Sequence, residues 1–244
     1  MAATRSSSPH FSIRSWPYRS IIPNGITVCG LLLSFLAILF ILQENYVSAS
    51  WFIFFTCVLD VLDGPAARLF DAFSNLGKEL DSFADLVNCG LASSLLVYQV
   101  FLKDWGIFGL GLSFSLLAFV AIRLGRFNTA AVHKPDYYTG LPVPAVANLI
   151  SGYVIFCDGV WGQYRFPALA AVIIPVLCWL MVSNLRYPKS YFLLPQRIFR
   201  TWQGVGALML ILAVTLFPTW IFLMPLIFIV GVTALGFLPP KVIP

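Results

Sequence analysis

The sequence predicts an all-α integral membrane protein, a polytopic bundle of about eight transmembrane helices behind an N-terminal interfacial segment. Three observations carry this reading. Hydrophobic residues make up 59% of the 244 and charged residues only 10%, whereas soluble domains carry about 25% charged residues. Apolar runs near twenty residues, the length that crosses a bilayer as a helix, recur along the whole chain. The basic residues gather between alternate runs rather than evenly.

In chain order, residues 10–20 (HFSIRSWPYRS) read as an interfacial segment, with Trp16 and Tyr18 suited to the headgroup layer. The apolar run after Thr27 is too long for the core of a signal peptide and lacks a small-residue cleavage site. Spans are expected at 22–43, 48–69, 77–101, 106–124, 141–160, 166–185, 202–217 and 219–238. Pro218 alone separates the last two, so a kinked or re-entrant pair fits there as well. One domain, 1–244, accounts for the chain: a segment over 1–20, a core over 20–190 and two further spans over 200–238.

Alternating the spans puts Arg5, Arg14, Arg19, Arg68, Lys78, Arg123, Arg126, Lys134, Arg186, Lys189, Arg197, Arg200 and Lys241 on one side. Only Lys103 and Arg165 fall on the other. The positive-inside rule then makes both termini cytoplasmic, in the cell (inner) membrane. The net charge of +5 lies in these loops, and no basic stripe with interleaved aromatics suggests a nucleic-acid partner. Cys29, Cys57, Cys89, Cys157 and Cys178 are scattered through apolar runs without a CxxC. They read as small buried hydrophobes rather than disulfide or zinc ligands.

The informative anomaly is acidic. Six of the ten carboxylates fall between Asp60 and Asp85, in DVLDGPAARLFDAFSNLGKELDSFAD. Ionisable groups at membrane depth are costly and mark function. Asp60 and Asp63 lie three apart, while Gly77, Asp81 and Asp85 lie four apart, so each set shares a helix face. Two such faces opposed would gather four carboxylates, which calls for a cation between them. All-oxygen ligation favours a hard divalent ion, Mg²⁺ or Mn²⁺, over zinc. Gly64 and Ala67 allow close approach of a flat ligand, Arg68 suits a phosphate, and Ser74 can cap the next helix. Metals, an arginine and a helix N-terminus describe a pyrophosphate site facing the cytosol.

The string Asp60-x2-Asp63-Gly64-x2-Ala67-Arg68-x8-Gly77-x3-Asp81-x3-Asp85 resembles the CDP-alcohol phosphotransferase signature at every fixed position. The resemblance implies that Asp60, Asp63, Asp81 and Asp85 hold two divalent ions and that Asp85 is also the base on the acceptor alcohol. It implies that Gly64, Ala67 and Gly77 line the cytidine pocket and that Arg68 meets the diphosphate. Pro23, Asn24 and Thr27 (PNGIT) resemble the family's second nucleotide-contact element. RLGRFN (123–128), TGLPVPA (139–145) and SNLRYP (183–188) resemble the membrane-type branch of bacteria and archaea that makes phosphatidylserine. That branch implies CDP-diacylglycerol and L-serine as substrates, phosphatidylserine and CMP as products, and a homodimer. The serine carboxylate and hydrogen-bonding partners are expected among Arg126, Arg186, Arg123 and Asn128. Direct displacement is favoured over an aspartyl-phosphate intermediate. Pro65 stands at a variable position of the signature and is expected to kink the second span.

Rival readings remain. Intramembrane acids also serve cation-coupled transporters, although these have no reason to crowd acids at one membrane face. The same scaffold could take glycerol 3-phosphate, inositol phosphate or choline instead of serine. Gly106, Gly109 and Gly111 superficially resemble a phosphate loop but read as helix packing. Gly77-Lys78 is no P-loop, because the upstream glycine is missing. His133, Asp104, Asp136 and Asp158 read as ordinary loop residues, and Asp71 and Glu79 face away from the Asp rows by helix phase.

Overall fold

In a bilayer the backbone has no water to bond, so an apolar run satisfies its own amides as a helix. The computed structural model follows that rule over the residues it describes, 18–69, 75–129 and 137–188 with 225, 226, 229 and 230. Helix α1 spans Tyr18–Leu42 and α2 spans Tyr46–Leu69. The turn between them places Glu44 at φ 59°, and the Asn45 side chain accepts the Ser48 amide at 3.2 Å to cap α2. Expected interfacial residues 18–20 thus form the first turn of α1, and the earlier ones lie outside the described residues. Pro23 sits inside α1 rather than at its start, and α2 continues past Pro65 to Leu69.

The third span is the least regular. It runs as α3 (Asn75–Asp85), a π-helical stretch (Leu86–Ala92), α4 (Ser93–Val97), a second π-helical stretch (Tyr98–Leu102) and a 3₁₀ turn to Trp105. Gly106, at φ 56°, then reverses the chain into α5 (Gly106–Thr129), which packs back on the π-helical stretches. Gly109 makes that return possible: a Cβ there would overlap the Leu102 carbonyl. Helix packing is therefore its role.

Helices α6 (Val143–Trp161) and α7 (Pro167–Val182) complete the described bundle. A short antiparallel ribbon joins the approach to α6 to the exit from α7: β1 (Tyr137–Thr139) pairs with β2 (Arg186–Pro188), Tyr138 opposite Tyr187. It is the one strand pairing among the described residues. Helix α2 packs between α1 and α6, and α5 against α7. The main core, rich in Ala, Ile, Leu and Val from α1, α2, the third span beyond α3, α5, α6 and α7, runs through the bundle. Ile229 is buried in it, so at least part of the C-terminal region docks on the same core.

Asn24–Leu42, Leu76–Thr129 and Val143–Trp161 are long and apolar enough to cross a membrane, with shorter apolar helices at Tyr46–Asp60 and Pro167–Val182. The chain is a helical membrane protein. The expected spans at 202–217 and 219–238 lie outside the described residues, apart from four positions of the second.

Candidate active site

Helices α1, α2 and α3 meet in a narrow cleft of about 10 Å³, lined by Ile26, Thr27, Gly30, Thr56, Leu59, Asp60, Asp81, Ala84 and Asp85. Helical periodicity explains the membership. Thr27 and Gly30 are one turn apart on α1, Thr56 and Asp60 on α2, and Asp81 and Asp85 on α3. Thr27 and Thr56 are buried in the cleft and the three carboxylates are half-buried. Thr56 gives its hydroxyl to the Phe52 carbonyl at 2.9 Å, leaving its methyl toward Gly30.

Three half-buried carboxylates border one cleft, and buried charges of one sign call for a positive partner. Their donor set fits a hard divalent ion: carboxylate oxygens from two helices and a threonine hydroxyl. Among the described residues no three His, Cys, Asp or Glu side chains are already drawn together as a metal shell. Asp63, one turn after Asp60, belongs to the helical backbone of α2 together with Gly64, Ala67 and Arg68. The side chains of these four, and of Pro23 and Arg186, lie outside the described residues, as do Asp71, Ser74, His133 and Asp136. Gly77 is on the first turns of α3, Asn24 is half-buried on α1 without lining the cleft, and Glu79 is exposed as expected.

The floor under the acids is held by a buried amide. Asn88 follows Asp85 within the π-helical stretch, and its Nδ2 donates to the Ile53 carbonyl and to Cys57 Sγ, both at 3.3 Å. This fastens the third span to α2 just below the carboxylates. A π-helical insertion changes the angular phase between the residues before and after it. Asp81 and Asp85 can thereby face α1 and α2 while Val97 and Phe101 face α6 and α7.

A second layer joins the three downstream motifs. Arg126 donates from Nη1 to the Val182 carbonyl at 2.6 Å and from Nη2 to Asn184 Oδ1 at 2.9 Å. The Gly140 amide donates to the Leu185 carbonyl at 3.0 Å and the Leu141 amide to the Leu180 carbonyl at 3.1 Å. Gly140 needs φ 79°, and a Cβ would overlap the Met181 carbonyl, so only glycine fits. Asn128 turns the other way, 200° from Arg126 around α5, and its Nδ2 donates to Ser82 Oγ at 3.0 Å. RLGRFN, TGLPVPA and SNLRYP thus form one connected unit, tied to α3 beside Asp81. Arg123 is half-buried one turn before Arg126. Sequence reasoning missed Ile26, Thr56, Ala84, Ser82 and Asn88. Thr56 was within reach, lying four residues before Asp60; the Ser82–Asn128 contact, across 46 residues, was not.

The CDP-alcohol phosphatidyltransferase family profile matches residues 20–238. A relative from Helicobacter pylori, named CDP-diacylglycerol–serine O-phosphatidyltransferase, is 35% identical over 175 residues, 69% of this chain and 72% of its own length. One of the same name from Bacillus subtilis is 36% identical over 169 residues, 68% of this chain and 89% of its own. Another, from Methanocaldococcus jannaschii, is 32% identical over 178 residues, 73% of this chain and 77% of its own. The chain is a membrane-embedded transferase and belongs to the CDP-alcohol phosphatidyltransferase family. The signature resemblance noted from the sequence is therefore one of family membership.

Proposed function

We propose that this enzyme transfers the phosphatidyl group of CDP-diacylglycerol to the hydroxyl of L-serine, giving phosphatidylserine and CMP. The observation that carries the chemistry is the cleft where Asp60, Asp81 and Asp85 meet Thr27. The serine assignment rests on the names of the similar proteins from three distant organisms, and on the joined motifs beside α3. The approach to the cleft is cytoplasmic by the distribution of basic residues.

In this reading Asp60, Asp63, Asp81 and Asp85 hold two divalent ions, Mg²⁺ or Mn²⁺. Bound there, the ions supply charge neutralisation for the pyrophosphate and for the departing CMP oxygen. Arg68 meets the diphosphate, while Pro23, Asn24, Thr27, Gly64, Ala67 and Gly77 bound the cytidine pocket. The serine oxygen attacks the phosphorus that carries diacylglycerol. Its bond to the CMP phosphate breaks, and the hydroxyl proton passes to Asp85. Arg126 has two donors committed to Val182 and Asn184, so it shapes the acceptor side at least as much as it binds. Arg123 and Arg186 are the further partners for the serine carboxylate and Asn128 a hydrogen-bond partner. A homodimer of eight-span subunits in the cell membrane completes the proposal.

The test is an acceptor screen. Purified protein, CDP-diacylglycerol and Mg²⁺ or Mn²⁺ are mixed with serine, glycerol 3-phosphate, inositol phosphate or choline in turn, and CMP and lipid product are measured. CMP release is expected with serine alone. Release driven by another acceptor and not by serine would overturn the serine assignment and leave the family intact.

A further inference from the structure

The carboxylate cleft rests on a buried seam between α2 and the third span, and one side chain bridges that seam. Asn88 lies three residues after Asp85. The groups its Nδ2 meets, Cys57 Sγ and the Ile53 carbonyl, lie three and seven residues before Asp60. Both ends of the contact therefore sit one to two helical turns beneath a carboxylate. Asn88 is 2% exposed and Ile53 fully buried, and beside them the Cys57 and Cys89 thiols pack 4.0 Å apart. The backbone of the same residue closes the wide turn. The Asn88 carbonyl accepts the amide of Ser93, five residues on, and the Ser93 hydroxyl at 3.2 Å. Asn88 Oδ1 is buried and has no hydrogen-bond partner among the described residues.

We propose that Asn88 is a positioning residue for the transfer reaction: its amide sets how the Asp81 and Asp85 face of the third span stands against Asp60 on α2. Packing by itself favours another residue. Leucine has the same branched shape, suits an apolar seam and leaves no buried oxygen without a partner. Apolar contact is non-directional, so it holds two helices together without fixing their relative depth and rotation. A hydrogen bond from one side chain to one chosen carbonyl fixes both. That precision matters directly above the seam, because ligands on two helices must hold their places to within about 0.5 Å to bind one ion well. The π-helical turn adds to the need. It changes the angular phase of the acids relative to the helix beyond it, and Asn88 ties that turn to α2. This role rests on the reading above, in which these carboxylates hold the divalent ions.

The experiment compares Asn88→Leu with a packing control in the full-length protein. The control is Ile174→Ala on α7, a buried position that lines no part of the cleft. Three quantities are read: thermal inactivation in detergent, Mn²⁺ binding without substrate from loss of the free-ion EPR signal, and CMP release with serine against Mg²⁺ concentration. Asn88→Leu is expected to weaken Mn²⁺ binding by about 10–100-fold, the range seen when the residues supporting metal ligands are changed. The Mg²⁺ needed for half-maximal CMP release should rise with it. Ile174→Ala should lose at least as much thermal stability and bind Mn²⁺ as the parent does. Asn88→Ser, too short to reach the Ile53 carbonyl, makes the same test if the leucine variant does not fold. Parent-like Mn²⁺ binding in the Asn88 variant, or an equal loss in Ile174→Ala, overturns the positioning role and leaves the carboxylate site standing. A parent protein that binds no Mn²⁺ and releases CMP without a divalent ion overturns the metal reading and this role with it.

Discussion

At the scale of single residues, the cleft gives its acids unequal positions. Asp85 borders both the carboxylate cleft and the thiol pair, and it precedes the π-helical stretch directly. Asp85→Asn keeps the shape and loses the proton acceptor. It is expected to bind CDP-diacylglycerol nearly as the parent does and to lose turnover by about 10²–10⁴-fold. Equilibrium binding measured beside CMP release checks this; lost affinity with retained turnover per bound complex would make Asp85 a ligand only. Arg126 makes a different case. Its two hydrogen bonds fasten α5 to the end of α7, and hydrogen bonds to charged groups contribute about 1.5–3 kcal/mol. Arg126→Ala should lower the thermal-inactivation temperature and raise the KM for serine, with the KM for CDP-diacylglycerol little changed. An unchanged serine KM would confine Arg126 to holding the fold. Asn88 was invisible as a site residue because a lone asparagine in an apolar run carries no pattern. Only its reach to Ile53 and Cys57 shows what it fastens.

At the scale of elements, the third span and its return decide the geometry. Gly109 lets α5 lie against the Leu102 backbone, while Gly111, two residues on, faces open space. Gly109→Val is therefore expected to destabilise the protein by about 1–3 kcal/mol through overpacking, and Gly111→Val to be tolerated. Thermal inactivation in detergent compares them, and equal loss in both would remove the packing argument. Helix existence was legible from the sequence: each described span falls within a few residues of its expected place, because apolar length and loop charge are local signals. The π-helical stretches at Leu86–Ala92 and Tyr98–Leu102 were not legible, since an extra residue per turn leaves composition unchanged. The ribbon between β1 and β2 was also missed. Its strands have three residues each, and the paired residues lie 47 to 51 apart in the chain, so neither carries a periodic signal.

At the scale of the whole molecule, three helices from two hairpins share one charged cleft inside an otherwise apolar bundle. Such a cleft is stable with its acids ionised only when a cation accompanies them. Chelator treatment is expected to abolish CMP release, and Mg²⁺ or Mn²⁺ to restore it. Asp63→Asn, short of one charge and one ligand, should not be restored. Full turnover of chelator-stripped protein would end the metal reading and reopen the cation-coupled transporter, which ion flux in vesicles would then test.

The sequence by itself determined the membrane class, the helical architecture and the family, and it singled out the acids as candidates. Those properties are written in local composition and in fixed short spacings. Tertiary structure decided which residues meet. It brought Thr27 and Thr56 to the carboxylates, tied Asn128 to Ser82, turned Arg126 onto α7 and set Cys57 beside Cys89. Each of these joins residues on different helices, and the meeting is fixed by helix phase and packing depth. Neither quantity is encoded in any one segment, because both depend on how the neighbouring helix is rotated.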